Sequence, residues 1–202
     1  EGLRLGGEGE GKALIDVNGL LPSTILERED GMVQIGALAT LQDLIQSPLI
    51  PSPVKEAASL CASFERRNSA TVGGNIACRR DDSYLGALFS VMGVKTYAVT
   101  PHGEGEKSVE DYFPTTCKRL ILYFILDPRK DGWVKRFGNT VSSHAALIAA
   151  ESDGRYALSV KGSQMVIGDT PEIYKDVEYV SDMFGSAEYK KYLASIVFGL
   201  RR

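Results

Sequence analysis

Arg66-Arg67-Asn68-Ser69-Ala70-Thr71-Val72-Gly73-Gly74-Asn75-Ile76-Ala77 is the run from which the fold and the function of this chain can be inferred. Its two adjacent glycines let the backbone turn sharply, with no Cβ to keep a ligand at a distance. Backbone N–H groups can then converge on an anion, and the side chains of Thr71 and Asn75 can add hydrogen bonds. The run predicts a phosphate or diphosphate site, although such a Gly-Gly pair is also typical of a turn or β-bulge. It matches neither the G-x-G-x-x-G nor the Walker pattern.

Two arginine pairs flank the glycines, Arg66-Arg67 before them and Arg79-Arg80 after them, so that four of the 23 basic residues lie close together. Such a local excess of positive charge favours a negatively charged ligand or partner. The whole chain nevertheless has a net charge of −3. This balance argues against nucleic acid or an anionic membrane as a partner, because binding to either depends on a basic excess.

The run from Arg67 to Ile76 resembles the second FAD-binding loop in the flavin subunit of molybdenum hydroxylases. This family includes the medium subunits of carbon monoxide dehydrogenase and the FAD domain of xanthine dehydrogenase. Three further segments resemble the family in the same order along the chain: residues 13–17 (Ala-Leu-Ile-Asp-Val), residues 35–40 (Ile-Gly-Ala-Leu-Ala-Thr) and residues 185–190 (Gly-Ser-Ala-Glu-Tyr-Lys). The resemblance therefore covers nearly the whole chain.

The resemblance implies an α+β fold with two parts. Residues 1–127 would form a two-lobed FAD-binding domain whose N-terminal lobe is shortened, and residues 128–202 a small α+β domain with an antiparallel sheet and helices. The segment Asp127-Pro128-Arg129-Lys130-Asp131-Gly132 is the best linker candidate in the sequence. With 202 residues, 44% of them hydrophobic, the chain is long enough for one large or two small cores.

The resemblance also implies which residues bind FAD. They lie in the two glycine loops and at three positions beyond them: Gly6, Gly7, Ala70, Thr71, Val72, Gly73, Gly74, Asn75, Asp82, Leu122 and Lys135. The aspartate that the family carries before the next helix falls on Tyr84 when positions are counted from the glycines, and Asp82 is the candidate to replace it. From the residues alone, each is more typical of a structural role than of a ligand contact: Leu122 of a core strand, Lys135 of a solvated strand and Asp82 of a helix N-terminus.

For function, the resemblance implies an electron-transfer subunit. Electrons would arrive from an iron–sulfur subunit, pass through FAD and leave to NAD or another acceptor, while a molybdopterin large subunit oxidises the substrate. The protein would thus be part of a hetero-oligomer, and no residue is assigned as a catalytic acid or base. Two alternatives stay open: a flavin-free structural or assembly subunit that retains the fold, and a stand-alone flavoenzyme such as an enolpyruvyl-UDP-glucosamine reductase.

The cysteines and the hydrophobic pattern limit the remaining classes of protein. Cys61, Cys78 and Cys117 form no C-x-x-C pair, which argues against a zinc or iron–sulfur site held by this chain alone. The sequence has no apolar run of about 18 residues, and residues 1–12 are charged and glycine-rich, unlike a signal peptide. We therefore expect a cytoplasmic protein with no membrane partner.

The hydrophobic periodicity predicts the elements in between. Strands are expected at residues 13–17, 32–35, 94–99, 120–126, 134–137, 145–150 and 156–166, with Asp153-Gly154 as a hairpin turn. Helices are expected after Thr40, at Ser52-Pro53 and after Asp81-Asp82-Ser83, the last one ending at Gly93. Residues 101–106 are predicted as a turn, and Ser108 with Asp111 as a capping box. In the C-terminal helix an apolar stripe is assigned to the core or to a subunit interface: Tyr189, Tyr192, Leu193, Ile196, Val197 and Leu200.

Overall fold

The computed structural model describes residues 15–80, 82–113, 119–140 and 143–199. The described elements are helices and two antiparallel sheets, which confirms the predicted α+β class. The strands are β1 (Ile25–Glu27), β2 (Val33–Gly36), β3 (Lys95–Thr100), β4 (Gly103–Ser108), β5 (Leu120–Leu126), β6 (Trp133–Phe137), β7 (Leu147–Ser152), β8 (Arg155–Val160) and β9 (Val166–Gly168). The helices are α1 (Leu41–Gln46), α2 (Ser52–Leu60), α3 (Phe64–Arg67), α4 (Val72–Ala77), α5 (Tyr84–Val91) and α6 (Ala187–Gly199), with 3-10 helices at Glu110–Tyr112 and Pro171–Lys175.

The first sheet has the strand order β1-β2-β5-β3-β4. Its central strand, β5, is the almost continuously apolar run that the sequence predicted, and it pairs with β2 on one side and β3 on the other. The second sheet has the order β6-β7-β8-β9. The Asp153-Gly154 turn joins β7 to β8 as predicted, with both residues at positive φ, and Ser152 pairs with Arg155 next to it.

Local sequence signals set the helix ends where they were predicted. Thr40 caps α1 through a capping box with Asp43, and Pro53 lies in the first turn of α2. Ser83 caps α5 by accepting a hydrogen bond from the N–H of Gly86. The helix ends before Gly93, whose φ of 66° suits a residue without a Cβ.

Helix α5 lies between the two sheets. All of its residues are buried, and it packs against β7 and β8 of the second sheet. On its other side the ring of Phe89 contacts Phe124 of β5, with 5.7 Å between the ring centroids. One cluster of buried apolar side chains therefore continues from Phe124 through α5 to Ile148 and Ala157. The predicted boundary at residues 127 and 128 falls between the sheets, before β6, and remains a proposal.

A second apolar cluster lies between the second sheet and α6. It includes Trp133, Leu147, Leu158 and Phe198. The face that α6 buries differs from the predicted one, because Tyr189 and Tyr192 are 50% and 61% exposed. Of the predicted stripe, Val197 is buried and Leu193 packs against the core, and the other buried residues of the helix are Lys190, Ala194 and Phe198.

Lys190 explains this difference. Its ammonium group donates to the Asp182 carboxylate and to the Val180 carbonyl, both at 2.8 Å, so the buried charge is neutralised and hydrogen-bonded. A lysine can then occupy a position that periodicity assigns to solvent. The alternative that Tyr189 and Tyr192 belong to a subunit interface stays a prediction, and Leu200 lies outside the described residues.

Further local predictions were wrong. The expected strand at residues 156–166 is divided into β8 and β9, because the chain turns after Val160. Residues 15–17 form no strand and Ile15 is 80% exposed, because no strand among the described residues pairs with this segment; residues 13 and 14 lie outside the described ranges. Residues 103–106, predicted as part of a turn, belong to β4, an exposed edge strand held by its pairing with β3. The Ser108 capping box is also absent: the 3-10 helix begins after Val109 without a side-chain cap.

Candidate functional site

The glycine run begins helix α4 and attaches it to the segment that follows β2. The Val72 N–H donates to the Ala39 carbonyl at 2.8 Å, and the Gly73 N–H donates to the Ala37 carbonyl at 2.9 Å. A Cβ at Gly73 would lie 2.8 Å from both the Cβ and the carbonyl oxygen of Ala37. Gly73 is therefore needed for this close backbone approach, rather than for access by a ligand.

The predicted concavity of free amide groups is not formed. Thr71 caps α4, its Oγ1 accepting from the Gly74 N–H at 3.1 Å, and its carbonyl accepts from the Asn75 N–H at 2.9 Å. The four N–H groups from Val72 to Asn75 thus all donate within the chain. The glycines place the helix, and any anion recognition at this run has to come from side chains.

One face of α4 offers such side chains. Thr71, Gly74, Asn75 and Cys78 follow one another at helical spacing and are exposed or half-buried, whereas Val72, Gly73 and Ile76 on the opposite face are buried. Because the Thr71 hydroxyl oxygen accepts the Gly74 N–H, its own O–H can donate outward. Gly74 lies between these polar residues and is exposed; a Cβ there would come within 2.9 Å of Thr71 Oγ1.

Asn75 is oriented by helix α5. Its side-chain oxygen accepts a hydrogen bond from the Ser83 hydroxyl at 2.9 Å, while Ser83 caps α5. The Nδ2 group of Asn75 has no hydrogen-bond acceptor among the described residues, so it can donate to a ligand. A hydroxyl and a carboxamide next to a glycine surface form a neutral donor set that suits a phosphate or diphosphate oxygen.

Asp82, the other polar candidate, has both carboxylate oxygens engaged by the side chains of Arg80 and His144. Arg80 donates to both carboxylate oxygens at 2.7 and 3.0 Å, and Nδ1 of His144 lies 2.7 Å from Oδ2. Burial alone would raise the pKa of Asp82, but the hydrogen bonds from Arg80 and His144 lower it to about 2. The carboxylate is therefore ionised at neutral pH and joins the α4–α5 connection to the segment before β7.

Tyr84, two residues after Asp82 and at the start of α5, is buried. Its phenolic oxygen accepts a hydrogen bond from Arg136 Nε of β6 at 3.1 Å, and burial raises its pKa. Arg136 also donates to the carbonyls of Thr140 and Ser143, and so fixes the loop that leads to His144. The sequence held no signal for the pairs Asp82–His144 and Tyr84–Arg136, because each joins residues more than 50 positions apart.

The remaining candidates lie at different distances from α4. Leu122 is next to it: the Leu122 carbonyl accepts the Ala37 N–H at 2.9 Å, and Ala37 also accepts from Gly73. Ala70 is half-buried, and its carbonyl accepts the Leu41 N–H at the start of α1. Lys135 is exposed on β6, with its ammonium group 5.3 Å from the centre of the Trp133 ring. The first-loop candidates, Gly6 and Gly7, lie outside the described residues.

The described residues give no support to a metal site, a membrane span or a reactive Cys61 thiolate. Across the described residues, no three His, Cys, Asp or Glu side chains are arranged to bind a metal ion. Every helix described here is also too short or too polar to cross a membrane. Cys61 and Cys78 are free thiols, and burial raises the pKa of Cys61 to about 12, so Cys61 is not a thiolate at neutral pH.

Sequence comparison identifies relatives of this chain. The family described as the FAD binding domain in molybdopterin dehydrogenase matches residues 7–127. The uncharacterized protein YgfM of Escherichia coli K12 is 28% identical over 187 residues, which cover 84% of this chain and 71% of YgfM. The carbon monoxide dehydrogenase medium chain of Hydrogenophaga pseudoflava is 39% identical over 111 residues, which cover 54% of this chain and 39% of that protein.

Solved structures share the fold. A chain of the Hydrogenophaga pseudoflava carbon monoxide dehydrogenase that lacks the Mo-pyranopterin moiety superposes with a TM-score of 0.76 at 21% identity, covering 87% of this chain and 75% of that one. Quinoline 2-oxidoreductase from Pseudomonas putida 86 gives a TM-score of 0.74 at 18% identity, covering 87% and 74%. Because the family match spans more than half of the sequence, the chain belongs to the FAD-binding domains of molybdopterin dehydrogenases, which confirms the predicted family and the predicted cofactor, FAD.

Proposed function

We propose that this chain is the FAD-binding electron-transfer subunit of a molybdenum hydroxylase-type oxidoreductase. FAD supplies the redox chemistry, since a flavin can take electrons one at a time and release two together. The chain binds and orients the cofactor, and the family match to FAD-binding domains supports this role. The observation that carries the proposal is the exposed face of α4, where Thr71, Gly74 and Asn75 offer donors to a diphosphate.

Within this proposal the candidate residues have different tasks. Thr71 and Asn75 donate hydrogen bonds, and Gly74 leaves room for the diphosphate between them. Ala70, Val72 and Gly73 hold α4 in place through backbone hydrogen bonds. Leu122 and Lys135 are assigned to the flavin end of the site, and Gly6 and Gly7 to the first glycine loop, by their positions in the family. Asp82 is the candidate to replace the family aspartate, whose position falls on Tyr84.

The proposed partners are an iron–sulfur subunit and a molybdopterin large subunit, in a hetero-oligomer in the cytoplasm. NAD or another acceptor takes the electrons from FAD. Support comes from the relative that is named as the medium chain of a carbon monoxide dehydrogenase. A chain that receives electrons from a partner's cluster needs no cluster of its own, which agrees with the dispersed cysteines of this sequence.

The visible absorption spectrum of the full-length protein, recorded with and without added FAD, tests the binding part of this proposal. We expect flavin bands that remain with the protein through gel filtration. Gly74→Val should remove them, because its side chain displaces the Thr71 hydroxyl and fills the space left for the ligand. Gly105→Val is the matched control, since Gly105 lies in β4 with open space around its Cβ position.

A folded wild-type protein that binds no flavin, even with excess FAD, would contradict the proposal. That result would favour the alternative of a flavin-free assembly subunit, for which the buried Tyr84 at the usual aspartate position is the structural argument. If Gly74→Val and Gly105→Val retain flavin equally, the protein binds FAD, but the diphosphate does not lie on the exposed face of α4.

A further inference from the structure

The hydroxyl group of Ser83 lies where helices α4 and α5 meet. Ser83 is buried, with 6% of its surface exposed, and immediately precedes α5. Its Oγ accepts a hydrogen bond from the Gly86 N–H at 2.9 Å and donates to Oδ1 of Asn75 on α4, also at 2.9 Å. One hydroxyl group therefore serves the cap of one helix and a side chain of the other.

The direction of these two hydrogen bonds fixes what Asn75 presents to a ligand. A backbone N–H can only donate, so the Ser83 oxygen is the acceptor for Gly86, and its single proton remains for another partner. Asn75 Oδ1 accepts that proton, and the described residues offer it no other acceptor. With its oxygen held by Ser83, the carboxamide turns its Nδ2 group away from Ser83.

The reversed orientation of the carboxamide would leave a buried group unpaired. Nδ2 would then donate to the Ser83 oxygen, and the Ser83 proton would lack an acceptor within the described part of the chain. Leaving a buried donor without a partner is more costly than an ordinary hydrogen bond is favourable. The observed orientation is therefore preferred, and the group that Asn75 offers outward is a donor, which matches the acceptor oxygens of a diphosphate.

The residues on either side of Ser83 are anchored to the second sheet and its approach. The Asp82 carboxylate lies 2.7 Å from Nδ1 of His144, before β7, and the Tyr84 hydroxyl accepts from Arg136 of β6 at 3.1 Å. A residue whose two neighbours are both held has little freedom of its own. His144 and Arg136 therefore help to fix the position of Ser83, although both lie beyond the part of the chain that the family match covers.

We propose that Ser83 is a positioning residue for FAD, which acts through Asn75 by holding its Nδ2 group toward the diphosphate. The inference rests on the proposed function, because it takes the exposed face of α4 as the diphosphate site. It adds that FAD affinity depends on a buried serine of the next helix. Ser83 orders the carboxamide before the cofactor binds, so that none of the binding free energy is lost in ordering it.

A double-mutant cycle on the full-length protein tests the proposal, with FAD affinity measured by flavin fluorescence. Asn75→Ala should weaken FAD binding roughly tenfold or more, since it removes a hydrogen bond to a charged oxygen. Ser83→Ala should weaken it roughly three- to tenfold, because the carboxamide must then be ordered on binding. In the double variant, Ser83→Ala should cause no further loss of affinity, because the side chain through which Ser83 acts is absent.

Urea unfolding of the unloaded variants separates positioning from a structural role. Ser83→Ala should lower the urea midpoint whether residue 75 is asparagine or alanine, because α5 loses its cap in both proteins. Ser186→Ala is the matched control, since the Ser186 hydroxyl accepts the Tyr189 N–H in the first turn of α6. Its loss should lower the midpoint and leave FAD affinity unchanged.

A second variant decides the question if Ser83→Ala does not fold. Ser83→Asp keeps an acceptor that can cap α5 but has no proton to donate to Asn75 at neutral pH. It should therefore fold and bind FAD more weakly than wild type. The added charge acts equally with asparagine or alanine at position 75, so the effect of orientation is the difference between these two backgrounds.

Two results on a protein that binds FAD would overturn the inference and leave the proposed function intact. One is an unchanged FAD affinity in folded Ser83→Ala. The other is an equal loss of affinity from Ser83→Ala with asparagine and with alanine at position 75, because Ser83 would then act on the cofactor without Asn75.

Nuclear magnetic resonance of the unloaded protein tests the orientation without FAD. The side-chain amide signals of Asn75, identified by their loss in Asn75→Ala, should shift in Ser83→Ala and stay in place in Ser186→Ala. Signals that do not shift in Ser83→Ala would overturn the inference. If wild type binds no FAD, the proposed function fails and the role of Ser83 in cofactor binding fails with it, while this experiment still decides whether Ser83 orients Asn75.

Discussion

At the scale of single residues, the two adjacent glycines serve different purposes. Gly73 is buried against Ala37 and permits the close approach of α4 to the segment after β2. Gly74 is exposed and keeps space beside the Thr71 hydroxyl. One of them is therefore a packing residue and the other a residue of the proposed ligand face.

This difference predicts that two alanine variants have different effects. Gly73→Ala should destabilise the unloaded protein by about 1–3 kcal/mol, because the new Cβ would overlap the Ala37 backbone. In Gly74→Ala the new Cβ would contact only the Thr71 hydroxyl, so this variant should lose about 1 kcal/mol of stability or less. It should nevertheless bind FAD more weakly. Urea denaturation and flavin titration measure the two effects.

Gly105→Ala in β4 is the control for both alanine variants, since nothing lies near its Cβ position. Equal stability losses at Gly73 and Gly74 would contradict the distinction between a packing glycine and a ligand-face glycine.

At the scale of elements, helix α5 links the candidate site to the core. Ser83 caps this helix and also donates to Asn75, so the start of α5 sets the orientation of a side chain on α4. All the residues of α5 are buried. The position of the Asn75 carboxamide therefore depends on core packing as much as on the glycine run itself.

Helix α6 depends on a buried ion pair whose two partners differ in exposure. The Lys190 side chain is fully buried, whereas that of Asp182 is 27% exposed. Asp182→Ala should destabilise the protein by about 2–4 kcal/mol, because it leaves a buried ammonium group without its counter-charge. Lys190→Met should cost less, since it replaces the buried charge with an apolar side chain of similar length while Asp182 can be solvated.

Thermal and urea unfolding of the two α6 variants would decide this order. Asp176→Ala, a change at an acid next to the 3-10 helix Pro171–Lys175, is the control. A larger loss for Lys190→Met than for Asp182→Ala would mean that packing of the lysine stem, rather than the buried charge, holds the helix.

At the scale of the whole molecule, the two sheets are joined by more than the shared core around α5. The Asp82–His144 and Tyr84–Arg136 pairs connect the α4–α5 region to β6 and to the segment before β7. Glu110 and Arg155 form a third connection, between the 3-10 helix Glu110–Tyr112 and β8. These contacts hold the proposed FAD face and the second sheet in one arrangement.

The Asp82 connection should make stability depend on pH. Its pKa is lowered from 3.8 to about 2 in the folded chain, so the unfolded chain binds its proton more readily. The stabilisation from Asp82, about 1–2 kcal/mol, is therefore complete above about pH 4 and is lost as the pH falls toward 2. Asp82→Asn should be less stable than wild type near neutral pH, and this difference should shrink on acidification.

Urea denaturation at several pH values between about 7 and 3 measures that difference. Asp111→Asn, at an exposed acid of the 3-10 helix Glu110–Tyr112, controls for the loss of one carboxylate. A difference between Asp82→Asn and wild type that stays constant across this range would mean that the Asp82 carboxylate does not control the connection between the sheets.

Local chemistry made part of this molecule predictable. The Thr40 cap, the Gly93 stop and the Asp153-Gly154 turn follow from backbone preferences that act within four residues. Strand β5 can also be recognised from its apolar run, because a buried strand needs apolar side chains whichever strands pair with it. The glycine run carries its resemblance to FAD-binding loops in the residue types alone.

The sequence by itself therefore determined the fold class, the starts of α1, α2 and α5, the strand β5, and the family and cofactor that the comparisons confirmed. Tertiary structure decided which amides of the glycine run are occupied, the pairing of β4 and the buried face of α6. It also decided the partners of Asp82 and Tyr84, which come from more than 50 residues away. The physical reason is that hydrogen bonds and ion pairs depend on atoms meeting in space, and distant segments meet only when the core around α5 packs.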